Sequence, residues 1–174
     1  TSAAVGSYSL SAVVTDNEGA TGTSTAVNVT VNTVGGCTSD FKIVGYMPSW
    51  SGSANDIQYD KVSHIIYAFI RPTSSGGLTA VEQPSKLQSI VSQGHAQGVK
   101  VMIAVGGRSD FNNADFEGMA STPTGRNNFA TNLLNWCSQY GLDGVDIDWE
   151  YPREGNTPQD YEAMMQVLSQ TMHA

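Results

Sequence analysis

Cations are what this chain has least of. Only 8 of its 174 residues are Lys or Arg, against 16 Asp or Glu, which leaves a formal net charge of −8. The basic residues form no cluster, which argues against a nucleic-acid ligand, because phosphate backbones are held by several grouped cations. A neutral or cationic ligand suits this charge better. Cysteine is nearly absent too: Cys37 and Cys137 are the only two. No C-x-x-C or paired His accompanies them, and His64, His95 and His173 are scattered, so a zinc site is not expected. Nothing in the spacing forces Cys37 to pair with Cys137, and Cys137 sits at an apolar helical position that suits a buried free thiol. No apolar run approaches the roughly eighteen residues of a membrane helix, so no membrane partner is expected. The chain begins at Thr1 with neither an initiator Met nor a charged-then-apolar leader, and its true start is expected upstream.

What the chain does have is a 40% hydrophobic content, enough for a real core, and one segment of unusual pattern. In Asp143-Gly-Val-Asp-Ile-Asp-Trp-Glu150, Asp146, Asp148 and Glu150 alternate with Val145, Ile147 and Trp149. A period of two is a strand's, so three carboxyls share one face, spaced about 7 Å apart, and three large apolar groups share the other. Crowded carboxyls in a poorly solvated cleft push at least one pKa up, which is what a general acid requires. A calcium loop would carry turn residues where Val and Ile stand here. A merely solvated acidic face fits poorly with Trp149 and the apolar flanks, which indicate a sheet covered on both sides.

Elsewhere the chain changes character once. Tyr8 to Asp16 and Thr23 to Val31 alternate apolar and polar residues around Asn17-Glu-Gly19, which reads as a β-hairpin. From Phe41 onward, short apolar runs alternate with longer amphipathic stretches, the pattern of strand–helix units and a parallel sheet. Strands are expected at Lys42 to Met47, Val62 to Ile70, Lys100 to Val105 and Gly144 to Glu150. Helices are expected at Ser85 to Gln97, Thr124 to Tyr140 and Thr157 to His173, with at most a weak one in Ser51 to Tyr59.

The string from Asp143 to Glu150, continued by Tyr151-Pro152, resembles the D-x-x-D-x-D-x-E pattern of the family 18 glycoside hydrolases, the chitinases and their relatives. The resemblance runs from Phe41 to the C-terminus and implies an α/β fold, a (β/α)8 TIM barrel. A complete barrel takes about 250 residues, so residues 41–174 supply only about its first half, four β/α units. The expected division is therefore 1–32 as the last strands of a module similar to the immunoglobulin-like domains of secreted polysaccharide hydrolases, 33–40 as linker, and 41–174 as half-barrel. Open edges of such a half-barrel invite association.

By the same resemblance the activity is hydrolysis of β-1,4-linked N-acetylglucosamine polymers, outside the cell, and neither a metal nor an organic cofactor is implied. Glu150 is implied as general acid and then base. Asp148 is implied to orient the substrate's acetamido group, whose oxygen replaces an enzyme nucleophile, and Asp146 to tune Asp148. Asp143, of opposite parity, is expected to be structural. Implied substrate contacts are Tyr46, which can donate a hydrogen bond to the buried aspartate, Phe69, expected to share a face with Tyr67, Gly106 and Gly107, where backbone and substrate approach closely, and Tyr151. Two positions depart from the family: Ala104 stands where Ser is usual, and Arg108 where many relatives have a stacking Trp. An endo-β-N-acetylglucosaminidase acting on glycoprotein glycans shares the pattern. A chitin-binding lectin on the same barrel typically lacks the final Glu, which is present here.

Overall fold

The computed structural model describes residues 4, 6–31, 41–108, 110–153 and 157–174. The expected linker, 33–40, and with it Cys37, lies outside the described residues; Cys137 is a buried free thiol whose pKa burial pushes up to about 11. The chain divides into two compact units, 1–38 and 39–174.

The first unit is a hairpin in two stretches. β1 (Gly6–Leu10) pairs antiparallel with β4 (Val27–Val31), and β2 (Val13–Thr15) with β3 (Thr21–Thr23). Between them the register slips by one residue, so a bulge divides what the alternation alone reads as one ladder. Its turn is closed by Asp16, whose carboxylate accepts from the N–H groups of Glu18 at 2.9 Å and Ala20 at 2.8 Å. Leu10, Val13, Val14 and Val27 are all exposed.

The second unit is a four-stranded parallel sheet in the order β5 (Val44–Pro48), β6 (His64–Ile70), β7 (Lys100–Gly106), β8 (Gly144–Asp148). One face packs on α1 (Pro84–Ala96), α2 (Asp110–Ala120), α3 (Pro123–Tyr140) and α4 (Thr157–Met172). Ile65, Tyr67, Val101, Ile103 and Val105 meet Leu87, Ile90, Phe116, Phe129, Leu133 and Met164 there, all 2% exposed or less. The opposite face buries only a small cluster, Ile66, Ala68 and Ala104, against Phe69 and Met102. Among the described residues β5 and β8 are the outer strands, each paired on one side.

Helix boundaries follow local chemistry. Thr122 caps α3 by accepting from Gly125 N–H at 3.0 Å, Pro123 opens it, and Gly141, at φ 69°, ends it. Two short 3-10 turns, Ala54–Asp56 and Tyr59–Lys61, occupy the segment read as weakly helical. The helix α2 has no counterpart in the sequence reading: Asn112, Asn113 and Gly118 lower its intrinsic propensity, and it forms because Phe116, Met119 and Ala120 are wholly buried.

Two further expectations are corrected. Tyr67 and Phe69 do not share a face. Between Tyr67↔Ile103 and Ile70↔Val105, β6 spends three residues against two of β7, and this slip turns Phe69 to the face opposite Tyr67. Strand β8 also ends two residues early, at Asp148, because Gly106 and Gly107 (φ 126° and 84°) turn β7 away and leave Trp149 and Glu150 without a ladder partner.

Asp143 is structural, as its parity suggests, but its partners are distant. Its carboxylate takes His95 Nε2 and Lys100 Nζ at 2.7 Å each and Val101 N–H at 2.8 Å, tying α1 and β7 to the start of β8. Burial pushes its carboxyl up, and the hydrogen bonds from Lys100, Val101 and His95 outweigh that and hold it below the usual range. A depressed pKa contributes stability above the unfolded value of about 3.9, lost as pH falls through the folded one. Because Lys100 is 61% exposed, solvent screening keeps the contribution small. Asp143→Asn is expected to cost about 1 kcal/mol in urea unfolding near pH 7, with the gap to the parent chain closing as the medium is acidified below about pH 4.

Candidate active site

The carboxylate strand lies on the sheet face away from the helices. Ala104 pairs with Asp146 and Gly106 with Asp148 across β7 and β8, so these two carboxyls stand one pleat apart beside small neighbours. The Tyr46 hydroxyl, reaching over from β5, donates to Asp146 Oδ2 at 2.7 Å. Burial first, then the hydrogen bond to Asp146 and the charges of Asp146 and Asp148, together raise the phenol's pKa to about 12. Where the family usually has a serine hydroxyl, Ala104 offers none, and Tyr46 supplies a donor to Asp146.

Asp148 is the carboxyl that crowding pushes up. Burial is the largest cause, followed by the charges of Glu150 and Asp146. Glu150 is half-buried just beyond the strand end, and Tyr151 beside it is 68% exposed. Glu150, by hydrogen bonding and by charge, raises the Tyr151 phenol. The alternation of the sequence survives past the ladder: Trp149 points into the helix-side core, stacks on Phe116 at 5.0 Å, and donates its indole N–H to the buried Asn113 Oδ1 at 3.0 Å. That anchor fixes the residue between Asp148 and Glu150, and it depends on the helix α2 that the sequence did not reveal.

Gly106 and Gly107 make close approaches within the protein. A Cβ on Gly106 would penetrate the Asp148 carbonyl, and one on Gly107 would press on the Phe69 ring at 3.2 Å. Gly107 N–H in turn donates to the Asp148 carbonyl at 3.0 Å. The two glycines thus set the backbone from which Asp148 projects.

Beside the carboxylates, the ends of β5, β6 and β7 enclose a groove of about 420 Å³ lined by Trp50, Phe69, Arg71, Glu82, Gly107 and Arg108 among others. Trp50 lies nearly parallel to Phe69, 6.3 Å away at 20°. The loop bearing Trp50 is held by α1: Lys86 Nζ donates to the carbonyls of Pro48 at 2.7 Å and Ser51 at 2.5 Å, and Gln83, at φ 49°, donates to that of Ser49 at 2.7 Å. The buried Ser49 hydroxyl donates to Glu82 Oε2 at 2.7 Å. Trp50, Arg71, Glu82 and Lys86 were missed by sequence reasoning; the aromatic in Pro48-Ser-Trp50, directly after an expected strand, was the available signal for the first. Among the described residues no group of three His, Cys, Asp or Glu is arranged to hold a metal.

The model of the Glycosyl hydrolases family 18 matches residues 42–174. A chitinase-like effector of Moniliophthora roreri is 32% identical over 111 residues, 62% of this chain and 27% of the relative. Probable chitinase 10 of Drosophila melanogaster is 31% identical over 128 residues, 66% of this chain and 6% of the relative. The crystal structure of the Ostrinia furnacalis Group IV chitinase in complex with allosamidin superposes with a TM-score of 0.65 at 29% identity, covering 75% of this chain and 40% of that one. The chain therefore spans less than half the length of each.

The raised Asp148 carboxyl has a consequence for stability. An acid whose folded pKa exceeds the unfolded value of about 3.9 opposes folding at neutral pH, and the penalty disappears as pH falls through the folded pKa. Asp148→Asn is expected to raise the thermal midpoint at neutral pH, with the two melting curves converging in acid.

Proposed function

The chain belongs to the glycosyl hydrolases of family 18, and from that premise we propose that it carries the acid–base half of a chitinase-type site that cleaves β-1,4-linked N-acetylglucosamine polymers with retention. The observation that carries this reading is the end of β8, where Asp146, Asp148 and Glu150 follow one another at alternate positions, Tyr46 bonds to the first, and the second is pushed up by burial and by its neighbours' charges. Catalytic groups in barrel enzymes stand at the C-terminal ends of strands, and this is such an end.

In the proposed reaction Glu150 protonates the glycosidic oxygen as the bond to the leaving sugar breaks. The acetamido carbonyl oxygen of the sugar left behind attacks the anomeric carbon, and Asp148 accepts the acetamido N–H and opposes the positive charge that develops on that group. Glu150, now a carboxylate, removes a proton from water, which opens the cyclic intermediate from the face the leaving sugar occupied. A raised Asp148 suits this role, since its burial and the charges of Glu150 and Asp146 make it the carboxyl that gains most from a cationic group arriving beside it. Tyr46 holds Asp146 in place beside it. Trp50 and Phe69 offer an apolar surface against which sugar C–H faces stack.

Residues 41–174 are read as the first half of the catalytic barrel of a secreted enzyme, and 1–32 as the end of an immunoglobulin-like module. The exposed apolar side of the hairpin supports the second reading, since two strands alone are marginal. Transition-state stabilisation needs several positioned groups together, so weak or undetectable turnover is expected of this chain alone. Release of a fluorogenic aglycone from an N-acetylglucosamine oligomer tests the assignment, using this chain and a chain extended through the remaining strands. The extended form should be the faster, and Glu150→Gln should lower its rate by about 10²- to 10⁴-fold. An extended Glu150→Gln variant as active as its parent would remove Glu150 from the reaction.

A further inference from the structure

We propose that the groove beside the carboxylate strand is selective for an N-acetylhexosamine oligomer bearing a carboxylate substituent, with Arg71 and Arg108 as the residues that determine this specificity. The proposal rests on the reading above that sugar binds at the C-terminal ends of these strands. It runs against the net charge of −8, which at long range favours neutral or cationic ligands.

Lys61 pairs with Asp60 and Lys100 with Asp143, each at 2.7 Å. Lys86 is spent on backbone carbonyls, and Arg126 donates to the Ala120 carbonyl at 2.5 Å. Of the 8 basic residues in the sequence, Arg71 and Arg108 are the two that line the groove, and neither forms an ion pair among the described residues. The groove's own acid, Glu82, already accepts from the buried Ser49 hydroxyl. Two arginines thus line the groove with one carboxylate, which is already engaged.

Both arginines stand on fixed backbone. Arg71 N–H donates to Thr79 Oγ1 and its carbonyl accepts from Thr79 N–H, each at 2.9 Å, and Arg108 follows Gly107, whose N–H is held by the Asp148 carbonyl. The Trp50–Phe69 surface lines the same groove, so a ring stacked on it has its substituents in a groove that both arginines line. A planar guanidinium fork matches a carboxylate in two parallel hydrogen bonds, which a hydroxyl does not reproduce. The acidic end of β8 repels an anionic substituent, which leaves the β5–β7 side of the site as its place.

Binding of the whole chain to two soluble polymers, anionic carboxymethyl chitin and neutral glycol chitin, tests the inference by affinity electrophoresis. The anionic polymer should bind at least about tenfold more tightly at an ionic strength of about 0.02 M, the preference shrinking near 0.3 M as screening lengths fall. In the double variant Arg71→Gln, Arg108→Gln the ratio of affinities should fall to one or below, with circular dichroism confirming the fold; Arg108→Lys, which keeps the charge and loses the fork, should give an intermediate ratio. Binding of glycol chitin with no preference for the anionic polymer, or a preference that survives the double variant, overturns the inference and leaves the sugar-binding reading standing. Binding of neither polymer overturns both.

Discussion

The passage of the Gly106 backbone against the Asp148 carbonyl is the contact on which the site depends. No side chain fits between them, so β7 and β8 end at a separation that only glycine permits, and Gly107 N–H closes it with a hydrogen bond. From that junction Asp148 projects to one face and Trp149 to the other. The same turn of β7 sends Gly107 under the Phe69 ring and Arg108 into the groove. Acid, aromatic surface and guanidinium are therefore positioned by one pair of strand ends.

Electrostatics on this face oppose folding locally, and the helix side offsets them. Asp148 is pushed up by burial and by its like-charged neighbours, while the core beneath is formed of side chains almost wholly removed from water. Trp149 links the two sides. Its stacking on Phe116 and its hydrogen bond to Asn113 hold the chain where like charges would otherwise spread it apart.

Much of this was legible in the sequence because it is local and periodic. The period-two alternation from Val145 to Glu150 identified a strand with one acidic face, and the alternation of short apolar runs with amphipathic stretches identified a parallel sheet. What was not legible depends on tertiary neighbours. The three-against-two slip that turns Phe69 away from Tyr67 leaves no trace in composition. Helix α2 is weak in propensity and is stabilised by burial. The partners of Asp143 lie 42 to 48 residues upstream, and Lys86 reaches carbonyls 35 to 38 residues away, so no local pattern announces them. The resemblance to family 18 identified Tyr46 as a partner of the buried aspartate; the fold shows a hydroxyl 2.7 Å from Asp146 across two intervening strands.

The central claim is that this strand end is where an N-acetylglucosamine chain lies. A ¹H–¹⁵N NMR titration of the chain with an N-acetylglucosamine tetramer tests it without requiring turnover. Shift changes should concentrate at Trp50, Phe69, Gly107, Arg108, Asp148 and Glu150, with the indole N–H of Trp50 among the most affected and the helix side of the sheet silent. Changes confined to the helices or the N-terminal hairpin, or none at saturating oligomer, would contradict it.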